Sequence, residues 1–235
     1  MPARFSRPLA FLFLLVAGAV SSAAAQQDRL LTLSDLSPDL ARLIGGTPLD
    51  FVANARITYG VTGNSSYDDF FRNSAVSYGG FMVGRRLTNQ ATLNLKKYAR
   101  SKVAVAEMKD QIAELTQGAD TASWTTEQAL AVLAAAKKRD QLSAEESAYM
   151  LSMAANLAAA IPMVEASVSS STQLTSTAPA MVSGARSSFG VLKAGSIGHN
   201  VQQSADRLAT IPTEGPKLVE AMLVLSKGLA MINGN

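Results

Sequence analysis

Residues 156–173, NLAAAIPMVEASVSSSTQ, carry a single charge, Glu165. Whether this stretch enters a membrane or lies between helices of a bundle decides the fold. Membrane entry requires strong hydropathy as well as low charge, and alanine, serine and threonine are nearly neutral for insertion. Asn156, Pro162 and Glu165 interrupt the run, and an acid near mid-span costs about 3 kcal/mol on insertion scales. A bundle requires a seam, and one is present. Met150, Met153, Leu157, Ala160, Val164, Ser167, Ser171 and Leu174 advance by steps of three and four, with small residues that let a neighbouring helix approach closely. The stretch therefore reads as buried helix, with Pro162 expected to kink or break it.

The same low charge extends outward. Between Ser147 and Ala205 the charges are Glu165, Arg186 and Lys193. On either side, cap signals divide the chain into helices. Ser37, Pro38 and the Gly45–Gly46 pair bound one, and Thr47, Pro48 and Asp50 open a second. Ser66 is expected to cap a third, ended by Gly79–Gly80. The longest is expected from Thr88 to about Gln117, closed by Gly118, with Tyr98, Val105, Met108, Ile112 and Leu115 on one face. Thr125 with Gln128, and Ser143 with Glu146, stand in capping-box relation. The last helix is expected from Pro216, with Leu218, Met222, Leu225, Leu229 and Ile232 as its seam. No segment shows a period-2 strand followed by hairpin chemistry. The expectation is an all-α bundle of six to eight helices, forming one domain over residues 26–235.

The N-terminus reads as a leader. Arg4 and Arg7 precede an apolar run from Leu9 to Val20, and Ala23–Ala25 fit a small-residue cleavage site, so residues 1–25 are expected to be a signal peptide. The apolar run is shorter than the roughly 20 residues of a spanning helix. Two of the 21 basic residues lie in this leader, which leaves 19 against 18 acidic ones, a net charge of +1. Nucleic-acid binding depends on uncompensated cations, so it is not expected. There is no cysteine, which removes disulfides, thiol chemistry and cysteine metal sites.

Little in the sequence matches a catalytic pattern. The single histidine, His199, lies three residues after Ser196, but AGSIG lacks the first glycine of a nucleophile elbow and the sheet that elbow needs. Tyr98 and Lys102 have the spacing of a dehydrogenase acid–base pair without the glycine-rich strand-to-helix turn. YGGFMVGRRL contains Gly80 and Gly84 as a G-x-x-x-G, read as a glycine-broken helix or turn between soluble helices rather than a membrane packing motif because the apolar run is too short. The adjacent acids Asp68–Asp69 and Glu145–Glu146 open helices, where they complement the dipole. Asn64 begins an N-x-S glycosylation pattern. No cofactor, metal or small-molecule substrate is expected.

The strongest local charge feature is Arg85, Arg86, Lys96, Lys97, Arg100 and Lys102, with no acid among them. These six form the candidate contact with an anionic surface, whether lipid headgroups, glycans or an acidic partner. The expected function is a non-enzymatic exported protein, periplasmic or extracellular, acting as an interaction, scaffold or envelope-assembly component through a protein partner or self-association. The alternative is a membrane-active protein that inserts region 147–205. A third reading is a hydrolase built from two carboxylates brought together in space.

Overall fold

The computed structural model describes residues 27–30 and 57–234. The expected signal peptide and the helices expected after Ser37 and Thr47 lie outside the described residues. Within them the protein is mostly helical, as expected, with fewer and longer helices than the cap signals imply. A two-stranded antiparallel ribbon joins β1 (Gln27–Leu30) to β2 (Thr58–Val61), with Gln27 opposite Val61. Helix α1 spans Ser65–Ser101, and α2, Lys109–Leu115, follows two 3₁₀ turns. Then come α3 (Thr126–Lys138), α4 (Ala144–Leu208) and α5 (Ile211–Ile232).

Helix α4 is two helices in sequence. Gly190 interrupts it at φ 72° and ψ 172°, a conformation outside the helical region. The chain reverses there. Gly198 lies against Val182, Gly215 against Val168, and the Ser226 hydroxyl donates to the Ala154 carbonyl at 3.0 Å. Residue numbers thus rise on one side as they fall on the other, so residues 191–208 and α5 form one return path antiparallel to 144–189. Helix α1 runs antiparallel to that first arm as well. Tyr67 donates to the Met181 carbonyl at 2.6 Å, Gly80 faces Met163 and Ser167, and Lys102 meets Glu146. At a rise of roughly 1.5 Å per residue, the arm 144–189 is about 70 Å long. Among the described residues, three long rods thus pack side by side, α1 and the return path each antiparallel to the arm 144–189, and α3 packs on α1 and α5 toward one end.

Both seams read from the sequence face inward. Met150, Met153, Leu157, Ala160, Val164, Ser167 and Ser171 are buried and Leu174 is half-buried. On α5, Met222, Leu225, Leu229 and Ile232 are buried and Leu218 packs beside them. These faces share one continuous hydrophobic cluster with Phe70, Phe71 and Phe81 of α1 and with Trp124. The two capping boxes form as expected, with Gln128 N–H to Thr125 Oγ1 at 3.2 Å and Glu146 N–H to Ser143 Oγ at 3.0 Å.

Several boundaries differ. Helix α1 is continuous across Gly79–Gly80 and is capped by Asn64, not Ser66, with Asn64 Oδ1 accepting from the Ser66 N–H at 3.1 Å. Glycine in a helix interior costs about 1 kcal/mol relative to alanine, but here the bare backbone is where α4 packs. A Cβ at Gly80 would strike Ser167, and one at Gly84 would strike Val164. The G-x-x-x-G is thus a close-packing device between helices of this bundle. The helix expected over Thr88–Gln117 instead ends at Ser101, where 3₁₀ turns take over and Val105 adopts an extended backbone at φ −82° and ψ 114°. Helix α4 runs through Pro162 and Pro179. Each proline removes one helical hydrogen bond, yet both rings are exposed while Ala160, Met163, Val164 and Ala178 beside them are buried, so tertiary packing holds the backbone. Helix α5 begins at Ile211, with Pro212 in its first turn and Pro216 inside. The β ribbon has no counterpart in the sequence reading. Its strands have four residues each and lie far apart in sequence, too short for alternation to register.

Candidate cationic face

The six candidate cations separate into two groups. Arg85, Lys96 and Arg100 are spaced by eleven and then four residues, and Arg86 and Lys97 repeat the step of eleven on the adjoining row. All five therefore fall within about one third of the circumference of α1. Arg85, Arg86, Lys97 and Arg100 are exposed and Lys96 is half-buried. Leu93, 70% exposed, sits in the middle of this face. The opposite side of α1 carries the buried Leu87, Ala91, Leu95 and Ala99, so amphipathic packing is what turns the cations outward. Arg100 Nε also donates to the Thr121 carbonyl at 3.0 Å, which fixes one end of the row.

Lys102 does not belong to this face. Its side chain is 10% exposed, and its ammonium donates to both carboxylate oxygens of Glu146 at 2.8 and 2.9 Å. Glu146 in turn accepts from the Ser143 N–H at 2.9 Å through Oε2. Burial pushes the Glu146 carboxyl up, but the Lys102 bond, the Ser143 N–H and the Lys102 charge outweigh it and hold the group below its ordinary value. Burial, with the neighbouring Tyr149, Glu146 and Glu145, raises the Tyr98 hydroxyl. With Lys102 committed to Glu146, the Tyr98–Lys102 spacing has no free ammonium to offer.

The other sequence candidates are also accounted for. His199 is exposed on the returning helix, and the Ser196 hydroxyl donates to the Lys193 carbonyl at 3.0 Å. Asp68 accepts from the Thr62 N–H at 2.5 Å, the Thr62 hydroxyl at 2.7 Å and the Gly63 N–H at 3.2 Å, closing the turn before α1. Asp69 pairs with Arg72 at 2.6 Å. Asn64 is the α1 cap. Among the described residues, no group of three or more His, Asp or Glu side chains is placed to hold a metal ion.

One cleft carries no signal in the sequence. It encloses about 300 Å³ between the β ribbon, α1 and the returning arm, and Asp28, Gln203 and Arg207 line it above Phe71 and Ser74. The Ser74 hydroxyl oxygen is buried without a hydrogen-bond partner. The cleft joins residues far apart in sequence, so no local pattern could mark it. Comparison with protein families, with curated proteins and with solved structures finds no match to this chain.

Proposed function

We propose that this is an exported, non-enzymatic helical protein that acts as an interaction or scaffold component, with the outer face of α1 as its contact with an anionic surface. The observation that carries the reading is the gathering of Arg85, Arg86, Lys96, Lys97 and Arg100 within one side of α1 around the exposed Leu93. Two cation clusters on one side of a rigid rod, Arg85–Arg86 and Lys96–Arg100, lie about 15 Å apart by helical rise, which suits a flat or extended anionic partner better than a pocketed one. Such a contact is screened by salt. Export rests on the leader-like residues 1–25, and self-association through residual seam surface is compatible with the same design.

The test is fractionation of cells expressing the full precursor, with successive high-salt and alkaline carbonate washes of the membranes. Release by salt, lost in an Arg85→Glu/Lys96→Glu/Arg100→Glu variant, supports the reading. Full recovery in the soluble fraction at low salt for both proteins removes the envelope contact.

A second reading, insertion of region 147–205, draws on one observation. The helical stretch Ala144–Ile232 contains an 18-residue span of mean hydropathy 1.4, of which 39% is buried. Retention through carbonate would support it. The buried residues of that region form the bundle seam, so insertion would require the rods to separate and expose their shared core.

A further inference from the structure

The reversal at Gly190 creates a projecting tip with an unusual surface. Of residues 186–193, all but Phe189 are exposed. Leu192 is 99% exposed and Val191 70% exposed. Phe189 alone turns inward, where its ring meets Tyr67 edge-on at a centroid distance of 4.8 Å. Tyr67 is itself buried and bonded to the Met181 carbonyl. The tip is thus anchored from below while its two aliphatic side chains point away from the protein. An apolar side chain this exposed at the end of a rod gains nothing from the fold.

Charge at the tip is one-sided. Between Glu165 and Asp206 the chain carries two charges, Arg186 and Lys193, both positive and both within four residues of Gly190. Both are exposed. The acids that α1 brings to this end are engaged, Asp68 with the Thr62–Gly63 turn and Asp69 with Arg72. Long cationic side chains beside an apolar point can keep their charge at a headgroup layer while the point enters the acyl region. Polar partners offer Val191 and Leu192 nothing, and a purely apolar groove leaves Arg186 and Lys193 unpaired. An anionic bilayer satisfies both.

We propose that the hairpin tip, Val191 and Leu192 flanked by Arg186 and Lys193, docks end-on into the surface of an anionic lipid bilayer, without unfolding of the bundle. The tip lies about 40 Å or more from the cations of α1, by helical rise along the antiparallel rods, so the two surfaces act separately.

The test uses the full chain and vesicles of phosphatidylcholine with or without phosphatidylglycerol. Sedimentation should show binding to the phosphatidylglycerol vesicles that weakens at least ten-fold in Val191→Asn/Leu192→Asn. In Arg186→Gln/Lys193→Gln, the preference for the anionic vesicles should fall several-fold. Leu192→Trp should be quenched by lipids brominated on the acyl chain, against the background of the buried Trp124. All four positions are exposed, and an unchanged circular dichroism spectrum checks the fold. Arg85→Gln/Lys96→Gln/Arg100→Gln should leave the quenching in place, which separates a failure of the tip from a failure of the α1 face. Absence of vesicle binding, binding unchanged by the asparagine substitutions, or a tip-dependent dimer without lipid would each overturn the proposal.

Discussion

Lys102 and Glu146 meet at the junction of α1 and α4, with the lysine ammonium 2.8 and 2.9 Å from the two carboxylate oxygens and the side chains only 10% and 18% exposed. The pair ties the end of one rod to the first turn of the next. Glu146 simultaneously completes the capping box at Ser143, so one side chain serves both the local start of a helix and its attachment to the bundle. Removing the ammonium leaves a largely buried carboxylate with its cap bond alone. Lys102→Met should lower unfolding free energy by about 2–3 kcal/mol, read from urea midpoints. Lys102→Met/Glu146→Gln should recover part of that loss, because glutamine retains the cap without the stranded charge.

The same pair sets a pH dependence. The folded-state pKa of Glu146 is lowered relative to the unfolded chain. Its stabilisation is therefore complete above the unfolded value, about 4.3, and disappears as pH falls through the lower folded value. The stability gap between the wild type and Glu146→Gln should be constant from neutral pH to about 5 and then shrink. Urea titrations between neutral pH and about pH 3 would show this, and parallel curves throughout would rule the linkage out.

Where α1 crosses α4, Gly80 and Gly84 present bare backbone to Ser167 and Val164. Ser167 has little freedom to retreat, since its hydroxyl donates to the Met163 carbonyl at 2.9 Å, and Val164 is fully buried. Gly84→Ala, despite the better helix propensity of alanine, should destabilise by about 1–3 kcal/mol through overpacking. Combining it with Val164→Ala should cost less than the two separate losses together, which thermal or urea denaturation of the four proteins can measure.

Gly190 and Gly195 lie five residues apart, and a methyl group at either would meet nothing within 4 Å, but only Gly190 has positive φ. Gly190→Ala should cost about 1–3 kcal/mol from backbone strain alone. Gly195→Ala, at an exposed helical position, should stabilise by about 0.5–1 kcal/mol. Opposite shifts in unfolding midpoint are the expected result, and equal shifts would place the chain reversal elsewhere.

Helix by helix, the sequence is most legible where the physics is local. The Thr125–Gln128 and Ser143–Glu146 boxes are three-residue devices, and the seams of 150–171 and 218–232 repeat every turn, so both can be read without knowing the neighbours. The basic row of α1 is legible for the same reason up to Arg100. Destination is what local pattern does not carry. Lys102 continues the basic run in sequence but stands three residues after Ala99 and seven after Leu95 on the buried side, and the Glu146 that receives it lies 44 residues away. Gly79 and Gly80 look like a stop, yet Gly80 lies where Ser167 presses on α1. Pro162 looks like a break, yet packing on both sides carries the helix through. Among Gly184, Gly190, Gly195 and Gly198, only Gly190 adopts positive φ, and nothing in its immediate neighbours distinguishes it. Composition and helical period determined that this chain makes amphipathic helices with buried small-residue seams, because those depend on steps of three and four residues. The number of rods, the point of reversal and the surfaces left outside were decided by tertiary structure, because each depends on contacts between residues that only the folded chain brings together.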